Sequence, residues 1–214
     1  RHAKAEADQV VAEITGGGGR AAAYAADVAD YAAVRAMVEQ AARDLGGLDI
    51  LINNAGYVSR RLFLETGPEE WRRQIDVGLY GVIHCCHAAL PRMIEQKRGR
   101  IINFAGDSAR VGEVGLSITA AARAGVLSLT KTLARELGRY DITINARALG
   151  VGEGGHWDRA GFEANREKIT RLYPLRRLGR PSDEAPLVVF LASDLAGWIT
   201  GQVVSVSGGY STVG

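Results

Sequence analysis

Residues 99–125 read GRIINFAGDSARVGEVGLSITAAARAG, and this stretch decides the fold. Residues 100–105 concentrate apolar side chains as a buried strand does, and Gly106 ends the run. Past a loop, Ala-rich sequence from about Leu116 carries a helix through Leu137. Positions four apart share one helical face, so the strand end, the loop and the pair Thr119 and Arg123 make a unit able to build a site.

Working outward, strands and helices alternate. Residues 2–14 predict an amphipathic helix with Ala3, Ala7, Val10, Val11 and Ile14 on one face, stopped by Gly16 to Gly19. Those glycines follow a helix and precede a strand, the reverse of what a phosphate-cradling turn requires. A short strand is expected over 21–26, a helix over 31–45, and a buried strand over 49–52. Pro68 starts a helix near 69–75, and a longer one runs over 79–97 with Gly78 near a break. The central helix carries a Val126, Leu129, Leu133, Leu137 stripe, and a strand follows over 141–147. A helix opened by Pro181 with Ser182 as its N-cap and a strand over 198–206 complete the chain. The expectation is one α/β domain over 1–214, a Rossmann-like doubly wound parallel sheet in three layers.

Composition narrows the function. The chain has 214 residues, room for one domain, with 26 Lys and Arg against 24 Asp and Glu and a formal net charge of +2. The signs are interspersed, which argues against a nucleic-acid footprint. No apolar run reaches the ~18 residues of a membrane span, and nothing at the start reads as a signal peptide, so a cytoplasmic location is expected. His84, Cys85, Cys86 and His87 spell HCCH, but helical neighbours point about 100° apart and cannot converge on a metal.

The 99–125 stretch, with Asn53-Asn54-Ala55-Gly56 upstream and ITGQVVSVSGG at 199–209, resembles the short-chain dehydrogenase/reductase family. It is most similar to the branch that oxidises hydroxyacyl-CoA thioesters with NAD. The family begins with a glycine-rich strand–turn–helix unit, and this chain is expected to enter after it, as an incomplete record. The family's Ser falls on Gly106, its Tyr on Thr119, its Lys on Arg123 and its Asn on Gly78. Its Pro-Gly turn reads Leu149-Gly150, and the Thr that meets the nicotinamide falls on Gly152.

The resemblance therefore assigns this chain no catalytic, cofactor-binding or metal-ligating residue. Thr119 is far too weakly acidic to replace a tuned phenol, and Arg123 has no acidic partner there to tune. The implied role is a catalytically inactive subunit that binds no cofactor itself. It would pair through its two long central helices, in a heterotetramer, with an active NAD-dependent short-chain subunit. In this it resembles the non-catalytic subunit of heteromeric dehydrogenases acting on acyl-CoA thioesters, such as the one acting on an aromatic hydroxyacyl-CoA in anaerobic toluene breakdown. Two alternatives stand beside it. One is an active NAD(P)-dependent oxidoreductase with displaced residues. The other is a non-redox enzyme reusing the cleft through Asp107, Glu153 and His156. Ser108, Ser117 and Tyr80 each lie two residues from a lost position, and helical geometry turns Ser117 and Tyr80 away from the site.

Overall fold

The computed structural model describes residues 4–152 and 159–213. Its centre is a four-stranded parallel sheet in the order β1-β2-β3-β4: Ile50–Asn53, Gly99–Gly106, Ile142–Leu149 and Val203–Val206. Parallel neighbours need crossovers, and helices supply them on both faces. In chain order the helices are α1 (Lys4–Gly16), α2 (Tyr31–Leu45), α3 (Pro68–Ile75), α4 (Gly81–Gln96), α5 (Ser108–Val111), α6 (Ser117–Leu137), α7 (Arg159–Thr170) and α8 (Pro181–Ala192), the crossovers being α3 to α8. The sheet and its layers agree with the expected Rossmann-like fold.

Strand β2 shows why both faces are covered. Side chains alternate sides with period two. Ile101 joins Val34, Val82, Met93 and Val126 under α2, α4 and α6, while Ile102 joins Val188 and Leu191 under α8. Each isoleucine is 1% exposed, and burying one stabilises by about 1.5–3 kcal/mol. A polar line crosses the first layer. Asn53 Nδ2 donates to Asn103 Oδ1 at 2.8 Å, Asn103 Nδ2 to Thr130 Oγ1 at 2.9 Å, and Thr130 Oγ1 to the Val126 carbonyl at 2.8 Å. The Asn53-Asn54-Ala55-Gly56 motif thus ties the end of β1 to α6 through β2.

Several elements differ from expectation. Residues 21–26 form no strand, because no described strand lies beside them to take their backbone groups. Tyr24 and Arg20 instead bond Asp44 of α2, at 2.7 and 2.8 Å. Helix α1 buries none of its residues, so its apolar face is unpacked. The break at Gly78 is a π-helical turn over Asp76–Tyr80 that joins α3 to α4 without a loop. The core side of α6 is Thr119, Ala122, Val126, Thr130, Ala134 and Leu137, with Leu129 and Leu133 only partly buried. Ser182 does not cap α8. The cap is Arg180, whose N–H donates to the Asp183 carboxylate at 2.7 Å. The last strand is shorter than expected, and Trp198 before it is fully exposed. Among the described residues no helix is long and apolar enough to cross a membrane.

Candidate functional site

The register of β2 against β3 sets Gly106 beside Leu149, so the two strands end level, at the rim where open α/β sheets bind ligands. Helix α6 crosses above that rim with Thr119 and Arg123 one turn apart. The Arg123 guanidinium lies over Gly106, its Cζ 2.9 Å and its Cδ 3.2 Å from where a β-carbon on that glycine would be. The position that resembles the family's serine is therefore filled by the head of Arg123. A β-carbon on Gly78 would lie 3.3 Å from Ala122 Cβ, so the π-turn rests directly on α6.

Thr119 is 3% exposed, and its Oγ1 donates at 2.5 Å to Oε1 of the equally buried Gln74 on α3. Its hydroxyl is committed to packing. Arg123 is not: among the described residues it makes no hydrogen bond or ion pair. Burial chiefly lowers its pKa; the Glu113 carboxylate opposes that, and the nearby Arg147 charge adds to it. The carboxylates around it are engaged. Glu113 pairs with Arg60, Glu184 pairs with Arg147 at 2.5 Å, and Asp107 Oδ1 accepts from Ser205 Oγ at 2.6 Å.

Arg147 was not singled out from sequence, although a lone arginine inside the apolar run ITINARAL is a signal for it. It is 2% exposed with its Cζ 4.0 Å from the Phe104 ring centre, and its Nε and Nη1 have no partner. Burial pushes the Arg147 pKa down and the Glu184 pKa up, each toward neutrality, as desolvation of a buried pair does. Beside this pair a cavity of about 130 Å³ is lined by Gly150, Val151, Tyr173, Leu178, Glu184 and Ser207. Tyr173 accepts from the Val151 N–H at 2.8 Å, and burial chiefly pushes its phenol up to about 12. It is poorly suited to give or take a proton near neutral pH.

The other candidates fall apart. Tyr80 packs on His84, with ring centres 6.0 Å apart, and Ser117 is exposed, as the helical geometry predicts. Ser108 is not in a loop: it opens α5, is buried, and its Oγ has no partner. Asp107 is wholly buried at 0% exposure, with Oδ2 unpartnered. Glu153 and His156 lie outside the described residues. In the HCCH run, His87 Nδ1 meets the Tyr31 hydroxyl at 2.7 Å, His84 Nδ1 donates to the Val28 carbonyl at 2.9 Å, and both cysteines are buried. No group of three or more potential metal ligands converges among the described residues.

Comparison with known proteins puts this geometry in context. Residues 2–211 match the family model described as Enoyl-(Acyl carrier protein) reductase. A 3-oxoacyl-(acyl-carrier-protein) reductase of Staphylococcus aureus is 40% identical over 206 residues, covering 96% of this chain and 83% of its own. The Thermotoga maritima protein of that name is 34% identical with the same coverage. A crystal structure described as a short-chain alcohol dehydrogenase of Sinorhizobium meliloti superposes with a TM-score of 0.91. It is 33% identical and matches 95% of this chain and 81% of that one.

Three expectations fall here. An inactive subunit is contradicted by relatives that carry the name of an enzyme across nearly the whole chain. A chain without its own cofactor is contradicted with it, because a reductase must receive electrons that no protein side chain here supplies. The active partner subunit goes too: these relatives are named as reductases in their own right.

Proposed function

This chain belongs to the short-chain dehydrogenase/reductase family, and on that premise we propose that it is itself a nicotinamide-dependent oxidoreductase acting on a carbonyl or alcohol carbon. The similarity to named 3-oxoacyl thioester reductases carries the reading, because the matched span of 2–211 runs through the site stretch rather than around it. We read the chain as a single domain, and we read self-association as its mode of assembly.

The residues present are compatible with a nicotinamide end. Asn54, Ala55 and Gly56 beyond β1 are exposed, and a β-carbon on Gly56 would meet only the Asn54 carbonyl, at 3.9 Å. Arg123 offers uncommitted donors at the end of β2. When bound, the cofactor supplies the hydride. Arg123 is the chain's own contribution: its N–H groups hold an oxygen of the cofactor or of the substrate at the rim. A guanidinium does not give up a proton near neutral pH, so the proton that completes the alcohol comes from water.

A positioned acid–base group contributes about 10²–10⁴ in rate, so turnover is expected to be slower than in a phenol-using enzyme by roughly that factor. The test is titration of the purified chain with NADH and NADPH, followed by oxidation of the bound form with a short 3-oxoacyl thioester. Measurable binding and slow oxidation, further reduced in Arg123→Gln, are expected. No binding and no oxidation overturns the proposal.

A further inference from the structure

We infer that the substrate of this site carries a carboxylate, and that Arg123 is the residue that pairs with it. This rests on the oxidoreductase reading above and narrows its substrate class to oxo or hydroxy acids.

The argument begins from charge. Three carboxylates lie around the rim: Glu113 pairs with Arg60, Glu184 pairs with Arg147, and Asp107 accepts from Ser205 through Oδ1 while its Oδ2 is unpartnered. Among the arginines at the rim, Arg123 is the one with no hydrogen bond to a described residue. A half-buried guanidinium without hydrogen bonds is costly, since desolvation is not offset by contacts. The Glu113 carboxylate offsets part of that cost, and the charge of Arg147, two of whose nitrogens are themselves unpartnered, adds to it. An anion arriving at the rim would relieve both.

Geometry selects the kind of anion. The planar fork of arginine matches a carboxylate through two parallel hydrogen bonds. Gly106 leaves the guanidinium seated at the strand end. A neutral thioester would give Arg123 only a carbonyl oxygen and leave the charge unbalanced. A cofactor ribose would also accept hydrogen bonds from Arg123, again without neutralising it.

The probes are acetoacetate and methyl acetoacetate, which differ by one charge. Binding of each to the whole chain is measured by calorimetry, with and without NADH, in the wild type, Arg123→Gln and Arg123→Lys. Circular dichroism melts confirm that each variant is folded. The expected result is binding of acetoacetate at least tenfold tighter than its ester, a ten- to hundredfold loss in Arg123→Gln, and partial rescue in Arg123→Lys. Equal affinity for acid and ester overturns the inference. So does a variant that loses NADH affinity while holding acetoacetate unchanged, which makes Arg123 a cofactor contact. The two readings separate cleanly. If acetoacetate binds through Arg123 but neither nicotinamide binds, the carboxylate site stands and the oxidoreductase reading falls. If thioester reduction proceeds with Arg123 indifferent to charge, the reverse holds. Should Arg123→Gln not fold, Gly106→Ala provides the second route: it displaces the guanidinium without removing charge and is expected to weaken acetoacetate binding about tenfold.

Discussion

The head of Arg123 occupies the space that a β-carbon on Gly106 would take, with Cζ 2.9 Å from that point. The two residues are therefore complementary: the glycine at the end of β2 and the long cation on α6 fit together and would exclude each other if only one changed.

That complementarity predicts non-additive energetics. In Gly106→Ala the guanidinium, the flexible end of its side chain, must swing away at a cost of about 1 kcal/mol for a strained rotamer. With Arg123→Ala already present, the same alanine no longer meets the guanidinium and costs less. A double-mutant cycle by urea unfolding should give a coupling of at least about 0.5 kcal/mol. Additivity within about 0.3 kcal/mol would show that the two side chains do not share the space.

The buried line from Asn53 through Asn103 to Thr130 predicts a sizeable stability loss when broken in the middle. Asn103→Ala leaves the buried Asn53 amide and the buried Thr130 hydroxyl without one partner each. Stranding buried polar groups costs about 1–3 kcal/mol each, and a cavity adds to that. Thr130→Val, which removes one partner and keeps the shape, should cost less. The midpoint of chemical unfolding reports both. An Asn103→Ala midpoint equal to wild type would mean the line contributes nothing.

How much of this was legible beforehand follows from which forces are local. Helix α2 was readable to the residue because Asp30 accepts from the Ala32 and Ala33 N–H groups and Gly46 adopts a left-handed φ of 88°, both local devices. The strand expected over 21–26 was not, because a strand depends on a neighbour that sequence periodicity cannot show. Thr119 and Arg123 could be paired on one face by counting. Which of them faces the rim could not, since Gln74, 45 positions away in sequence, captures the threonine. The functional error had a different origin. Absent side chains say which chemistry a site does not perform by the usual route, and they leave open what the replacements do. Arg123 was read as a lost lysine, whereas in the fold it is an uncommitted cation.

Cys86 should resist thiol reagents in the native protein. Burial chiefly pushes its thiol up to about 12, despite a hydrogen bond from Asn53 that acts the other way. The thiolate is the reactive form, so at neutral pH almost none is present and the sulfur is shielded as well. Labelling with iodoacetamide should be slow and should rise sharply in denaturant. Rapid stoichiometric labelling of Cys86 under native conditions would contradict this environment.

Acid stability should depend on Asp183. Its carboxylate takes two hydrogen bonds from Arg177, at 2.6 and 2.7 Å, and one from the Arg180 N–H, which hold its pKa down at about 2. An unfolded aspartate titrates near 3.9. Because the folded value is the lower one, the unfolded chain takes up protons first as pH falls. The stabilisation from Asp183 is therefore complete above about pH 5, shrinks as pH drops below 4, and is gone once pH passes below about 2. Asp183→Asn should be less stable than wild type at pH 6, and the gap should close steadily toward pH 2. The side chain is open to solvent, so salt should narrow the gap as well. A difference that stays constant from pH 6 to pH 2 would place the effect in the N-terminal cap of α8 itself, through the amide's weaker acceptance of the Arg180 N–H, and not in the charge.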